Sequence, residues 1–229
     1  MRRQTAPIIA FSGSDGSGKS TQIQWLQARL DRHEVSNVRC WSRGGYTPVF
    51  RKAKRAVRRA PGGILPPAGE SATRDRLLGK RWVRRSWLVL SILDLGFLYG
   101  VRIRWWRRCG NWVICDRYLL DTRIDFKLNF PEENVDSWWL WQLVVRLCPS
   151  PDVHFLMLVP VEESVRRASQ KDEPFPDPPE RLALRLAYYR RTEHAQGRIV
   201  LDGLCPIDEV FSEVHGALPP FDRKGTDAD

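Results

Sequence analysis

The eleven residues from Phe11 to Thr21 are FSGSDGSGKST, and they restrict the possible folds of the chain more than any other segment. Within them, Gly13–Ser20 fits the pattern G-x-x-x-x-G-K-[ST]. Glycines in such a loop let successive backbone N–H groups turn towards one anion, and the next helix directs its N-terminus at the same point. An apolar run, Pro7–Phe11, precedes the loop, and a helical pattern, Lys19–Arg32, follows it. The segment therefore predicts a strand, a phosphate-binding loop and a helix.

The lysine and the hydroxyl residues of this loop predict the nature of its ligand. Lys19 is placed to reach the β- and γ-phosphates of a nucleotide, and the Ser20 hydroxyl to hold Mg²⁺. A glycine-rich turn that only caps a helix is the alternative, but it would not require a lysine and a serine in this register. We therefore predict ATP and Mg²⁺ as ligands. The predicted nucleotide-binding residues are Gly13, Ser14, Asp15, Gly16, Ser17, Gly18, Lys19, Ser20 and Thr21.

Apolar runs typical of buried strands alternate with helical patterns along the chain. The predicted strands are Pro7–Phe11, Val38–Trp41, Trp112–Asp116, Val153–Val159 and Arg198–Leu201. The predicted helices are Lys19–Arg32, Ala72–Arg108, Asn134–Leu147, Val161–Gln170, Arg181–Ala195 and Pro206–Leu218. Four prolines between Lys171 and Glu180 exclude a regular helix there. Apolar strands separated by helices predict an α/β fold, with a parallel sheet covered on both faces.

A second segment, VICDRYLLD, places an acid and an arginine where a predicted strand ends. Ligands of open α/β sheets bind at the carboxyl ends of the strands, so Asp116 is a candidate to orient the metal or its water shell. Arg117 is a candidate to bind a phosphate through two hydrogen bonds. Taken alone, the pair would be interpreted as a surface ion pair, because such pairs are common. Together with the phosphate loop, the pattern favours a catalytic role for both residues.

Composition limits the class of protein and its location. The 229 residues fit one domain, and the formal net charge of +10 indicates an anionic partner without identifying it. The five cysteines form no C-x-x-C pair, which is typical of reduced thiols in a cytoplasmic protein. The most hydrophobic run, Trp87–Val101, is short for a bilayer and contains Asp94, so we expect no transmembrane segment.

These motifs resemble those of the thymidylate kinase family of P-loop nucleoside monophosphate kinases. FSGSDGSGKST is similar to the family's F-E-G-x-D-G-x-G-K-S-T, with Ser12 in the place of the glutamate. The tripeptide DRY, Asp116–Tyr118, matches the family's D-R-[YHF]. PDVHFLMLVPVEESVRR, Pro151–Arg167, is similar to the strand that leads into the family's lid. The resemblance extends from about Pro7 to Leu218.

The resemblance implies a P-loop NTPase three-layer sandwich with a five-stranded parallel sheet, helices on both faces and a short lid. It implies one kinase domain over residues 1–218, with the lid at about 166–181. The tail at 219–229 is polar and is expected to be flexible. ATP would be the phosphoryl donor and a nucleoside monophosphate the acceptor, with conversion of dTMP to dTDP as the first expectation. The family commonly forms homodimers, and Ser137–Val145, with three tryptophans, is the candidate contact.

The resemblance also assigns roles to individual residues. Asp15 would approach the acceptor sugar, and Arg117 would bridge the acceptor phosphate and the transferred group. Tyr118 would join the acceptor-binding set, and so would Arg43, which matches the family's R-E-P-G-G-T weakly. Gly16 is not the arginine that one branch of the family has there, so the catalytic arginine is expected from the lid. The candidates are Arg166 and Arg167, with Lys171 beside them; the alternative is that these arginines only cover a solvated helix face.

The acceptor side departs from the family pattern. LDLGF, Leu93–Phe97, contains no arginine where the family binds the pyrimidine nucleotide. After DRY, the chain has Asp121 and IDF, Ile124–Phe126, where the family has a serine and A-Y-Q. The acceptor therefore stays open, and another phosphorylated or hydroxylated metabolite, for example one of polysaccharide synthesis, is the alternative.

A different class of function is suggested by arginine interleaved with tryptophan in Gly79–Trp87 and Arg102–Arg108, and by the basic run Arg51–Arg59. Such segments can bind single-stranded nucleic acid or a membrane surface. Amphipathic helices with core-facing tryptophans are the favoured interpretation, because apolar stripes at helical spacing more often serve packing. Nucleic acid is therefore not expected as a partner, whereas peripheral contact with a membrane stays open.

Overall fold

A computed structural model describes residues 5–41, 78–170, 177–192 and 197–220. Its sheet has five parallel strands in the order β2-β3-β1-β4-β5. The strands are β1 (Ile8–Gly13), β2 (Asn37–Trp41), β3 (Trp112–Asp116), β4 (Val153–Leu158) and β5 (Arg198–Asp202). The predicted five-stranded parallel sheet is thereby confirmed. Because β3 and β4 lie on opposite sides of β1, the strand order reverses at the carboxyl end of β1, where open sheets bind their ligands.

Helices connect the strands in the described part of the chain. They are α1 (Lys19–Arg32), α2 (Arg81–Phe97), α3 (Ile103–Arg108), α4 (Leu119–Asn129), α5 (Trp139–Leu147), α6 (Val161–Gln170), α7 (Pro179–Arg190) and α8 (Ile207–Gly216). A π-helical turn, Leu98–Arg102, joins α2 to α3, and two 3₁₀ turns, Pro131–Glu133 and Val135–Ser137, precede α5. Helix α3 ends at Arg108, where the predicted helix ends, and Gly110 follows it with φ +84°, a conformation typical of the residue after a helix.

The core that supports the loop lies between the central strand and α1. Phe11 on β1 and Phe155 on β4 are fully buried, with ring centroids 5.0 Å apart. The α1 residues that pack into the same cluster are Ile23, Leu26 and Leu30, all fully buried. Burial of one such side chain contributes about 1.5–3 kcal/mol, so both ends of the loop are attached to well-anchored elements.

The chain divides into two compact units. The first comprises the described residues of Met1–Trp41, Trp105–Ile124 and Ser150–Asp229, and it contains the whole sheet. The second comprises those of Ser42–Arg104 and Asp125–Pro149. The single kinase domain expected over residues 1–218 stays a prediction, as does the flexible tail, of which residues 221–229 lie outside the described part.

Helix α2 packs against α5 within the second unit. A Cβ atom added to Gly96 of α2 would lie 3.0 Å from Cγ2 of Val144 on α5, so the absence of a side chain permits this approach. The buried carboxylate of Glu133 accepts hydrogen bonds of 2.8 Å from Nε of Arg84 and from Nε of Arg85. Burial opposes ionisation of this carboxyl, but the two arginines outweigh it and lower the pKa of Glu133.

The observed helices differ from the predicted ones at three places. The helix predicted from Asn134 begins at Trp139, after the two 3₁₀ turns. Helix α4 was not predicted, because three of its buried positions, Asp121, Thr122 and Asp125, carry polar side chains that interrupt the apolar period. In addition, α7 begins inside the proline-rich segment, at Pro179. Proline is tolerated there because the N–H groups of the first helical turn have no partner within the helix.

The aromatic segment Ser137–Val145 divides between interior and surface. Trp141 is buried and Trp139 is 74% exposed. The exposed ring is compatible with the predicted subunit contact, and the homodimer stays a prediction.

One continuous helical stretch in the described part of the chain, the 28 residues Arg81–Arg108, is long and apolar enough to cross a membrane. This criterion considers length and composition alone, and a core helix of a soluble protein also meets it. Of its most apolar window, 44% is buried inside the protein, and Asp94 within the stretch is also buried. The helix is therefore weak support for a membrane span.

The close approach of α2 and α5 predicts different effects at two glycines. Gly100→Ala should stabilise the protein, because a Cβ there meets nothing within 4 Å and alanine restricts the unfolded chain. Gly96→Ala crowds Val144 and should leave the protein less stable than Gly100→Ala by about 1 kcal/mol. Urea unfolding of both variants measures the difference, and equal midpoints with equal slopes would contradict the packing described.

Candidate active site

The phosphate loop between β1 and α1 depends on three glycines with positive φ: Gly13 at +143°, Gly16 at +75° and Gly18 at +95°. A Cβ on Gly13 would lie 2.2 Å from the carbonyl oxygen of Met157, so no side chain fits at the end of β1. A Cβ on Gly16 would lie 3.0 Å from the carbonyl oxygen of Ser164 on α6. The arginine that one branch of the family has at this position is thus disfavoured here, by the close approach of α6 as well as by the backbone conformation of Gly16.

The N-terminus of α1 meets the requirements of an anion site. Gly18 is its N-cap residue, no side chain caps the helix, and its first turn contains no acidic residue. The positive end of the helix dipole is therefore directed at the space enclosed by the loop.

Lys19 lies across the loop and is almost completely buried. Its Nζ donates hydrogen bonds to the carbonyl oxygens of Gly13 (2.9 Å) and Ser14 (2.5 Å) and to Oγ of Ser17 (3.0 Å). Burial, and next the positive charge of Arg117, lower the pKa of Lys19 to about 8, against the opposing effect of nearby aspartates. An anion bound in the loop would add a negative charge beside this ammonium group and favour its protonated form.

Residues from the loop, from β2 and from the end of β3 line one polar pocket. Its lining comprises Asp15, Gly16, Ser17, Gly18, Lys19, Ser20, Trp41, Asp116 and Arg117. Both predicted motifs therefore meet at one place, as their positions at the carboxyl ends of adjacent parallel strands require. Trp41 was not predicted here; it lies beside Asp116 because the two are register partners on β2 and β3.

Asp116 is 4% exposed, and its Oδ2 accepts a hydrogen bond of 2.5 Å from Nη2 of Arg39. If Asp116 orients a metal ion, its carboxylate must do so while it also binds Arg39. No cluster of three or more His, Cys, Asp or Glu side chains suited to a metal occurs among the described residues. The oxygen donors of Ser20 and Asp116 fit a Mg²⁺ ion that completes its coordination with phosphates and water.

Arg117 is held in a conformation that residues other than glycine seldom adopt, with φ +75°. Its amide donates to the carbonyl oxygen of Phe11 at 2.9 Å, which ties the turn after β3 to β1. Its guanidinium is buried, pairs with the carboxylate of Asp15, and lies 3.9 Å (Nη1–Oδ1) from that of Asp121. A strained residue of this kind costs about 1–3 kcal/mol and typically occurs at functional sites.

Arg166 and Arg167, the two arginines expected in the lid, differ in their contacts. Arg166 is 58% exposed and pairs with Glu163 through hydrogen bonds of 2.7 Å, so it covers the outer face of α6. Arg167 also contacts Glu163, but its Nη1 donates to the carbonyl oxygen of Gly16 (3.2 Å) and its Nη2 to that of Gly203 (2.9 Å). Hydrogen bonds from Arg166 and then Arg167 lower the pKa of Glu163 to about 2. Only Arg167 of this pair touches the phosphate loop.

The remaining predicted residues take different places. Tyr118 is buried, and its backbone amide donates to Asp121 at 3.0 Å. Ser14, within the loop, is buried and does not line the pocket, and Thr21 is half-buried on α1. Arg43 and Lys171 lie outside the described residues.

Four polar side chains behind the loop were not predicted as site residues: Ser12, Asp121, His154 and Tyr189. All four are buried and connected by hydrogen bonds. The sequence signal that could have identified two of them is a polar residue within an apolar strand. Ser12 and His154 each interrupt an otherwise apolar strand. For Asp121, the sequence signal is its departure from the family pattern after DRY.

Comparisons with known proteins agree with this fold. No protein-family model matches the chain. The chain is 28% identical over 214 residues to a thymidylate kinase of Thermosipho melanesiensis, covering 90% of this chain and 94% of that protein. It is 27% identical over 218 residues to a thymidylate kinase of Bordetella petrii, covering 92% and 94%. A solved structure, deoxyadenosine kinase from M. mycoides with the products dCMP and a flexible dCDP bound, superposes with a TM-score of 0.57 at 15% identity, covering 91% and 97%. The P-loop kinase fold is thereby confirmed, and the resemblance to thymidylate kinases is supported.

The lowered pKa of Lys19 predicts how nucleotide affinity varies with pH. The protonated form, which attracts phosphate, predominates below about pH 8, so affinity is fully present there and is lost as the pH rises above that value. Linkage to one proton limits the loss of Mg-ADP affinity to about tenfold per pH unit. Titration calorimetry from neutral to alkaline pH measures this loss. Lys19→Met should bind weakly with no alkaline loss, and a wild-type affinity independent of pH would contradict the assignment.

The contacts of α6 predict unequal effects for its two arginines. Arg167→Ala removes two charge-assisted hydrogen bonds to loop and strand-end carbonyls and should weaken Mg-ADP binding by about tenfold. The adjacent Arg166→Ala removes only an exposed ion pair and should stay within about twofold of wild type. Calorimetry at one pH compares them, and an equal loss in both variants would show that the loop contact of Arg167 is unimportant.

Proposed function

We propose that the protein transfers the γ-phosphoryl group of ATP to a nucleoside monophosphate, converting dTMP to dTDP. The observation that carries the proposal is the convergence of Lys19, Asp116 and Arg117 on one pocket enclosed by the phosphate loop. The proposal is supported by similarity over about nine-tenths of the chain to two proteins named thymidylate kinase. It extends to a cytoplasmic location, with which five free thiols, all in the described part of the chain, are consistent.

The donor nucleotide would be held by the phosphate loop. Its backbone amides and the N-terminus of α1 would bind the β- and γ-phosphates, and Lys19 would turn from the loop carbonyls to those phosphates. Ser20 and Asp116 are the residues that would hold Mg²⁺, which neutralises phosphate charge when bound. Because the loop is fixed between β1 and α1, its amides need little rearrangement during the reaction.

The acceptor would approach Arg117 from the side of Asp15. An oxygen of the acceptor phosphate attacks the γ-phosphorus, a new P–O bond forms, and the bond between the γ-phosphorus and the bridging oxygen breaks to release ADP. Arg117 would offset charge on the transferred group, since its buried guanidinium lies at the pocket. Asp15 pairs with that guanidinium in the described structure and so orients it.

Arg167 would hold the base of the lid against the loop. Its hydrogen bond to Gly16 connects α6 with the phosphate loop, and the lid would close over the nucleotide to exclude water. The central lid residues 171–176 lie outside the described part, and α6 and α7 flank them in sequence.

A second candidate keeps the same donor chemistry and changes the acceptor to another phosphorylated or hydroxylated metabolite. It is favoured by two buried carboxylates in the second unit, Asp94 and Asp125, which belong to the segments that depart from the family pattern. Carboxylates repel the phosphate of a nucleotide and accept hydrogen bonds from hydroxyl groups. An acceptor rich in hydroxyl groups would suit them better than dTMP.

A screen of acceptors tests the proposal. Purified protein with Mg-ATP is mixed with dTMP, other nucleoside monophosphates and a panel of sugar phosphates, and ADP release is measured. The expected result is the fastest release with dTMP. Release with a sugar phosphate alone would replace the proposed acceptor by the second candidate.

Lys19→Ala should lower turnover by about 10²–10³-fold, because it removes a preorganised charge from the transferred phosphoryl group. Lys127→Ala is the matched control, since its ammonium group pairs with Asp136 at 2.8 Å in the second unit. Circular dichroism verifies that both variants are folded. Wild-type turnover in folded Lys19→Ala would refute the proposed role of the loop.

A further inference from the structure

The buried carboxylate of Asp121 accepts four hydrogen bonds, whereas capping the start of α4 would require only one. Asp121, in the first turn of α4, is 1% exposed. Its Oδ2 accepts hydrogen bonds from Oγ of Ser12 (2.5 Å) and from the amide of Tyr118 (3.0 Å). Its Oδ1 accepts them from the hydroxyl of Tyr189 (2.6 Å) and, at a longer 3.4 Å, from the amide of Gly13. Only the bond from Tyr118 serves the helix start, and the others connect α4 to β1 and α7.

The number of available protons determines the direction of each hydrogen bond. The Ser12 hydroxyl has one proton, which goes to the carboxylate, so Nε2 of His154 must donate its own proton to Ser12 Oγ across 2.8 Å. The hydrogen bond therefore requires a proton on Nε2 of His154, and because burial lowers the pKa of this imidazole to about 4, the neutral ring with that proton predominates at neutral pH. The Tyr189 proton goes to Asp121, which leaves the carbonyl oxygen of Gly13 to Lys19.

The carboxylate is thereby held in its ionised form. Burial by itself raises the pKa of Asp121, but the Arg117 charge and the hydrogen bonds from Ser12, Tyr189 and Tyr118 outweigh it, so the pKa lies below its usual value. A buried carboxylate that lost these partners would be costly, since an unpaired charge in the interior is strongly destabilising.

The elements that Asp121 contacts are those that set the geometry of the pocket. Gly13 is the first residue of the loop, and its carbonyl oxygen accepts one of the three hydrogen bonds of Lys19. The strained Arg117 has its Nη1 3.9 Å from Oδ1 of Asp121. The negative charge of Asp121 is thus connected to both cations of the pocket, to Lys19 through Gly13 and to Arg117 directly.

We propose that Asp121 is a positioning residue of phosphoryl transfer: with Ser12, His154 and Tyr189 it fixes the entrance of the phosphate loop and the buried guanidinium of Arg117. This inference rests on the proposed function for its effect on rate. Its structural part, the fixing of the loop, does not depend on which acceptor is used. A carboxylate that only capped α4 would need the Tyr118 amide and would leave the loop unaffected.

Asp121→Asn is the first test, with Glu133→Gln as matched control. Both remove a buried negative charge that is held by hydrogen bonds, but Glu133 lies in the second unit and pairs with Arg84 and Arg85. Asp121→Asn should lower kcat/KM for ATP by about 10²-fold, the effect of misplacing reacting groups by about 1 Å. Glu133→Gln should unfold at lower urea concentration yet keep its rate when folded.

Exchange of the two side chains provides the rescue. Oγ of Ser12 and Oδ2 of Asp121 are 2.5 Å apart. Ser12→Asp combined with Asp121→Ser therefore places one carboxylate and one hydroxyl in the same space, with the carboxylate now on β1 and the hydroxyl on α4. The double variant should regain at least about tenfold of the rate that Asp121→Ser loses, a recovery of 1.4 kcal/mol. A double variant that stays as slow as Asp121→Ser would count against positioning by the shared charge.

Hydrogen exchange of the loop amides provides a readout that needs no substrate. In folded protein, exchange of residues 13–20 should be faster in Asp121→Asn than in wild type and unchanged in Glu133→Gln. If wild-type protein binds no Mg-ADP but shows this difference, the proposed function fails and the structural part of the inference stands. If wild type is active and Asp121→Asn matches it in rate and in loop exchange, the inference is overturned while the proposed function remains.

Discussion

The structure depends first on the anchoring of one loop between the central strand and the first helix. Strand β1 is bonded on both sides, to β3 and β4, and its buried residues pack against α1. The loop that joins them can therefore adopt only a compact conformation, and Gly13 and Gly16 supply the positive φ that this requires. Neighbouring backbone closes around both glycines, so the conformation is enforced by β4 and α6 as well as by the glycines themselves.

The charges around this loop form a balanced cluster. Lys19 and Arg117 are buried cations whose mutual repulsion contributes to the lowered pKa of Lys19. Asp15, Asp116 and Asp121 offset that repulsion. In the described structure every hydrogen bond of the Lys19 ammonium group goes to the loop itself. A polyphosphate would replace these neutral acceptors by charged ones, which is the physical reason why the pocket favours an anion.

The donor and acceptor sides of the chain differ in how well they follow the thymidylate kinase pattern. The donor side retains the motif, and its loop, β3 and α6 come together in the first unit. The segments that depart from the pattern contain Asp94 and Asp125, which are buried in the second unit. A phosphate loop is tied to one chemical group, the polyphosphate, whereas the acceptor-binding residues must match a particular small molecule. Departures from the family pattern are therefore expected mainly among the acceptor-binding residues.

Much of the fold and the central residues of the site followed from the sequence. Glycine spacing, apolar strands and the lysine in register determined the sheet, α1 and the loop, because each signal is local: it reports a backbone preference or a pattern of burial within a few residues. The sequence also placed Lys19, Asp116 and Arg117 together, since parallel strands bring their carboxyl ends to one edge.

Only the tertiary structure decided which polar side chains meet. The hydrogen bond of Ser12 with Asp121 joins residues 109 positions apart, and that of Arg39 with Asp116 joins residues 77 apart. No local preference encodes such pairs. Buried polar residues also prevented the prediction of α4, because they interrupt its apolar period. The sequence alone determined that the chain forms a phosphate-binding loop on a parallel sheet. The long-range packing decided which charges surround that loop, because partners for buried polar groups are chosen by proximity in space and not along the chain.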